Sequence, residues 1–180
     1  MPAALGTARL ALRRRELDDA AWSLDLLGER DGGPTLTLDD VRARLTAQAA
    51  DVERHGFGFD AIRVRPAVDD ADPNGQARDG STDGVERDPI GCCGLLVGRS
   101  TIDEPEIAYE LFRRAHGNGD ATEAARVVLD AAFASGRQRI WATVRTGNVA
   151  SLRVLDEVGF TRRRTTIGDG AELVWLVAEP

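Results

Sequence analysis

The chain contains no lysine. All 23 of its basic side chains are arginine, set against 30 acidic ones for a net charge of −7. That balance argues against nucleic acid as a partner, because phosphate backbones are bound by basic faces. Cysteine is scarce too. Cys92 and Cys93 are adjacent in an apolar run, where a structural disulfide is implausible, and they read as small buried thiols suited to a reducing compartment. Two histidines and two adjacent cysteines form no ligand spacing, so no metal is expected. No run of about eighteen apolar residues could span a bilayer, and no signal-peptide segment opens the chain. The expectation is a soluble cytoplasmic protein without a membrane partner. What is present, 180 residues with 42% hydrophobic content, suffices for one compact domain with a sizeable core.

The stretch from Arg114 through His116, Gly117, Asn118, Gly119, Asp120 and Ala121 organises the rest. Before it, Ile107, Tyr109 and Leu111 alternate with Ala108 and Glu110 as a strand would. After it, Ala125, Val128, Leu129, Ala132 and Phe133 recur at helical spacing. A glycine loop between a strand and a helix exposes the N–H groups of the first helical turn, which favour a phosphate. Taken alone, two spaced glycines also fit an ordinary turn. The loop lacks the Lys-Ser or Lys-Thr ending of a phosphate-transferring P-loop.

A second motif runs from Asn148 through Ser151 to Gly159 and Phe160, after the apolar run Ile140 to Val144. With both motifs in order, the chain resembles the GNAT superfamily of acetyl-CoA-dependent N-acetyltransferases. Within it, the likeness is greatest to the branch that acetylates ribosomal-protein N-termini (alanine or serine). The family's pyrophosphate loop falls on Arg114, Gly117 and Gly119, and its Asn-x-x-Ser motif on Asn148 and Ser151. The resemblance implies acetyl-CoA as cosubstrate, with pantetheine pairing along Glu110, Leu111 and Phe112. Amides from His116 to Ala121, including those of Asn118 and Asp120, would then hold the pyrophosphate. It further implies Asn148 on the cofactor arm and Ser151 as proton donor to the leaving thiolate. Glu106 is the first choice for a base, with Glu110 the alternate, and both also read as surface glutamates.

In chain order, Ala8 to Arg14 reads as a first, edge-side strand. Asp18 and Asp19 open a helical segment closed by Gly28, in which Trp22 reads as core, and Asp31 to Pro34 is a loop by composition. A second helix starts near Thr37, buries Val41, Leu45, Ala49 and Val52, and stops at His55 and Gly56. Phe57 to Val64 reads as a strand. Residues 66–88 read as a flexible acidic loop insertion, or more sharply as an acidic lip for a cationic acceptor. Ile90 to Val97, Glu106 to Phe112 and Arg139 to Arg145 are further strands. The chain closes in a hairpin around Gly168-Asp169-Gly170. The crossover through the glycine-loop helix makes two strands a parallel pair. The expected fold is α/β of the α+β kind: a GNAT-like, mostly antiparallel sheet with a splayed parallel pair and flanking helices, in a single domain spanning 1–180.

Two departures from the family pattern keep two functions open. Leu155 stands where many relatives carry a proton-donating tyrosine, and Asp120 would repel a pyrophosphate unless Arg113 or Arg126 pairs with it. The first function is acetyl transfer by direct attack of a primary amine, on a small molecule or a protein N-terminus. The second is a degenerate GNAT-fold protein that holds a CoA ligand or a protein partner without turnover. The exposed edges and the closing hairpin could support a homodimer.

Overall fold

A computed structural model describes residues 1–30, 35–66, 88–168 and 170–180. Eight strands form one sheet: β1 (Ala4–Gly6), β2 (Leu10–Arg14), β3 (Phe59–Val64), β4 (Gly91–Leu96), β5 (Glu106–Leu111), β6 (Ile140–Arg145), β7 (Thr161–Gly168) and β8 (Ala171–Ala178). Their spatial order is β1-β2-β3-β4-β5-β6-β8-β7. Four helices flank the sheet: α1 (Ala20–Gly28), α2 (Leu38–His55), α3 (Asp120–Ala134) and α4 (Val149–Glu157). All pairings are antiparallel except β5 with β6. The expected mixed sheet with flanking helices is therefore present.

Helices cover both faces, and β4 records it. Cys93 and Leu95 face Val128, Leu129 and Ala132 of α3, while Cys92 faces Leu26 of α1 and Phe112. A strand buried on both sides needs apolar residues at successive positions, which Gly91 to Leu95 supply. Both cysteines are free and buried, and burial pushes their thiols up.

Two expectations need correction. The Ala8 to Arg14 segment is not the edge, because Ala4 to Gly6 pairs outside it in the register Leu5 opposite Leu12. The buried stripe of α2 also ends early: Val41 and Leu45 are buried, Ala49 is exposed and Val52 is half-buried. Over the C-terminal half of α2, Gln48 accepts from Arg15, Val52 packs against Gly58 and His55 stacks on Phe57, contacts that leave Ala49 facing solvent. The caps behave as composition dictates. Thr37 and Asp40 form a reciprocal box at the start of α2, and Gly56 ends it with φ of 75°. Residues 31–34, the acidic stretch over 67–87, and Asp169 in the closing turn lie outside the described residues.

One register feature positions the site. Strands β5 and β6 pair only at Glu106 with Trp141, where the Trp141 N–H donates to the Pro105 carbonyl at 2.9 Å. Beyond that point the strands diverge. The edge of β5 that faces β6 is left without a strand partner from Ile107 to Leu111.

Candidate active site

A cavity of about 610 Å³ opens where β5 and β6 separate. Leu111, His116, Gly117, Gly119, Asp120, Ala121, Asn148 and Ser151 all line it, so motifs far apart in sequence meet at one place. The glycines are required here by backbone geometry. Gly117 and Gly119 have φ of 83° and 77°, the left-handed region in which a side chain is strained. Gly119 caps α3 without a side-chain hydrogen bond. The first N–H groups of α3 therefore face the cavity without helical partners, as an anion site requires.

Asp120, 5% exposed, lies in that first turn. Its partner is Arg9, whose Nη2 lies 3.2 Å from Asp120 Oδ1. Arg9 also donates through Nε to Glu123 at 2.8 Å and through Nη1 to the Asn118 carbonyl at 3.3 Å. The two arginines nearer in sequence are engaged elsewhere: Arg113 donates to the Glu29 carbonyl and Arg126 to the Glu157 carbonyl. Sequence spacing could not point to Arg9, because sheet topology carries it across the molecule.

Arg114, Phe112 and Asn118 do not line the cavity, and local contacts hold several motif side chains. Arg114 donates to the Pro89 carbonyl at 2.9 Å and stacks on the Phe112 ring at 4.0 Å, and neither side chain lines the opening. Asn118 reaches back to the Ala115 carbonyl at 3.4 Å. His116 donates through Nε2 to the Leu111 carbonyl at 3.0 Å. Asn148 lines the cavity and also caps α4, accepting from the Ser151 N–H at 3.1 Å.

Glu106 is buried and lines neither this cavity nor a smaller pocket behind it, between β5 and helices α1 and α2. Its carboxylate accepts from the Arg99 N–H and from Thr143 Oγ1 of β6, the latter at 2.6 Å. It sits at the closed end of the splay, where β6 still pairs with β5. Four residues along the same strand face, Glu110 lines both spaces. Arg30, just past α1, grips it with Nε on one oxygen and Nη2 on the other.

Tyr109 is the residue that the motifs did not single out. Its hydroxyl donates to the Ser151 carbonyl at 3.0 Å and lies 2.9 Å from Ser151 Oγ. Burial pushes its phenol up to about 12, against the opposing Ser151 hydrogen bond. It therefore remains a proton donor at ordinary pH. It is the chain's single tyrosine, and it stands on the strand rather than at position 155, where Leu155 is buried in the core. Period-two alternation groups it with Ile107 and Leu111, so the sequence pattern does not set it apart.

The Acetyltransferase (GNAT) domain family matches residues 9–161. The chain belongs to the GNAT acetyltransferases. It is 31% identical over 162 residues to the uncharacterized N-acetyltransferase p20 of Bacillus licheniformis, covering 88% of this chain and 82% of that one. Its fold superposes on a GnaT-family acetyltransferase of Bordetella pertussis with a TM-score of 0.77, at 23% identity and coverage of 98% and 99%. It also superposes on RimL, a ribosomal L7/L12 alpha-N-protein acetyltransferase in complex with coenzyme A, with a TM-score of 0.75, at 13% identity and coverage of 98% and 97%. As a GNAT enzyme the chain is an acetyl-CoA-dependent acetyltransferase. Its described helices include none long and apolar enough to cross a membrane.

Proposed function

We propose that this GNAT enzyme acetylates a primary amine by direct attack on acetyl-CoA held in the cavity between β5 and β6. The observation that carries this reading is the convergence of a β5 edge without a strand partner, the α3 N-terminus and the Tyr109–Ser151 hydroxyl pair on one opening. Amides from Gly117 to Ala121 hold the pyrophosphate, and the free edge of β5 takes the pantetheine as a strand would. Acetyl-CoA is already activated, so position and proton handling are what the protein supplies.

The acceptor ammonium first loses a proton to Glu110, directly or through water. The amine nitrogen then forms a bond to the acetyl carbonyl carbon, the carbon–sulfur bond breaks, the thiolate takes a proton from the Tyr109–Ser151 pair, and the proton that the new amide nitrogen sheds returns to that pair through water. The products are an N-acetyl amide and free CoA thiol. Glu110 suits the base role better than Glu106, because only Glu110 reaches the open space. Leu155 favours a fold without turnover, but the Tyr109 hydroxyl supplies the donor that Leu155 lacks, and Arg9 offsets Asp120.

The test is thiol release from acetyl-CoA with a panel of primary amines, with the products read by mass spectrometry. Amine-dependent release with the acetyl group on nitrogen supports the reading. Cofactor binding without amine-dependent release from any acceptor would replace it with the non-catalytic one.

A further inference from the structure

Behind the cofactor cavity lies a second pocket of about 170 Å³, walled by α1, α2, Phe59 and the face of β5 that carries Ala108 and Glu110. Leu26, Arg30, Tyr109 and Glu110 line both spaces, so a ligand in one reaches the chemistry in the other. The remaining charged side chains of this pocket are Arg15 and Arg44. A chain of net charge −7 thus gathers three arginines and one glutamate around a single small pocket.

Pairing makes the excess sharper. Glu110 is taken by Arg30. Arg15 donates through Nη2 to the neutral Gln48 Oε1 at 2.5 Å and lies over the Phe59 ring, and among the described residues no carboxylate forms an ion pair with it. Arg15 Nε is buried without a hydrogen-bond partner, and so is Ser23 Oγ, which also lines the pocket, in a residue 1% exposed. Buried donors left unmade cost roughly 1–3 kcal/mol each, and an oxyanion is the acceptor that relieves both. Arginine is the side chain best matched to a carboxylate, through its planar fork of donors.

We infer that the acceptor is a primary amine that also carries a carboxylate, its oxyanion on Arg15 and Arg44 and its ammonium toward Glu110. This rests on the acetyltransferase reading and narrows it. The pocket is smaller than the roughly 300 Å³ at which ligand sites ordinarily begin. It accommodates a free amino acid or the first, acidic residue of a peptide. Polycationic acceptors are disfavoured, because three arginines repel them.

The experiment compares acceptors that differ only in charge. Free aspartate and glutamate are run against asparagine amide and glutamine amide, and peptide amides beginning with Asp or Glu against those beginning with Asn or Gln, with spermidine as the cationic arm. The carboxylate is expected to raise kcat/KM roughly 10- to 100-fold, the worth of one hydrogen bond to a charged group. Preference for the free amino acids or for the peptides identifies the source. Arg44→Gln, at an exposed position on α2, and Arg15→Gln should each remove most of that preference by raising KM for the carboxylate acceptor. Neither should alter acetyl-CoA binding.

Turnover with neutral amines or spermidine at equal or higher kcat/KM overturns the inference while leaving the acetyltransferase reading intact. In the absence of any turnover, calorimetry with N-acetylglutamate on the CoA complex gives a second readout. Binding that is lost in Arg44→Gln supports an oxyanion site, and no binding overturns it. Failure of acetyl-CoA itself to bind removes both readings.

Discussion

The two spaces that share Tyr109 and Glu110 are built from different material. The cavity between β5 and β6 draws on backbone features: left-handed glycines, the uncapped start of α3, and a strand edge freed by the divergence of β5 from β6. The pocket behind it is made of side chains, with Arg15, Arg44 and Gln48 reaching in from β2's end and α2. In the proposed reading, backbone recognition serves the cosubstrate, and it tolerates much side-chain change. By the inference above, side-chain recognition sets which acceptor enters, and single substitutions would rewrite it. The ion pair of Arg30 with Glu110 stands at the boundary and belongs to both.

That comparison can be broken or sharpened at four places. The largest effect is expected at the shared wall, where Tyr109→Phe should lower kcat about 100-fold while leaving the KM for acetyl-CoA nearly unchanged. Because burial holds the Tyr109 phenol near 12, the wild-type rate should show no loss from its ionisation below about pH 10. A fall of less than threefold in the variant would leave Ser151 or water as the donor. Next comes Gly119→Val, which forces a branched side chain into φ of 77°. Strain of roughly 2 kcal/mol should weaken acetyl-CoA about 30-fold in calorimetry. Unaltered affinity would mean that the loop is not a backbone cradle.

The third effect is smaller. Arg9→Ala leaves Asp120 and Glu123 unneutralised beside the cavity and should weaken acetyl-CoA about tenfold, with Asp120→Asn in the same background restoring affinity. Restoration failing would show that Arg9 acts on the loop's shape rather than on its charge. The smallest effect concerns a control outside both spaces. Burial pushes the Asp60 carboxyl up to about 6, with Arg14 opposing. A raised acid pKa means that the group's contribution to stability is whole below about pH 4 and lost as pH rises through about 6. Asp60→Asn should flatten that loss by roughly 2 kcal/mol between about pH 4 and pH 8 in urea titrations, with catalysis at neutral pH little changed.

The backbone-built half was legible in the sequence, because glycines at fixed offsets, a helix cap and an alternating strand are local signals. Leu111, His116, Gly117, Gly119, Asp120, Ala121, Asn148 and Ser151 all line one cavity. Arg114, Phe112 and Asn118 share those motifs, yet local packing turns their side chains elsewhere. Glu106 satisfies the strand period for a base but lies where the splay has not yet opened. The side-chain half could not be read in the same way. Arg15 and Arg44 lie 95 and 66 residues before Glu110 in the chain, and Arg9 meets Asp120 only through topology. Non-local pairings of that kind carry no periodicity.

The most direct test of the central claim is a crystal structure of the protein with bound coenzyme A. The account predicts pantetheine between β5 and β6, with the pyrophosphate within hydrogen-bonding distance of the Gly117 to Ala121 amides and the sulfur beside the Tyr109 and Ser151 hydroxyls. Coenzyme A seated anywhere other than this splay, or a pyrophosphate held by side chains rather than by the loop amides, would contradict it.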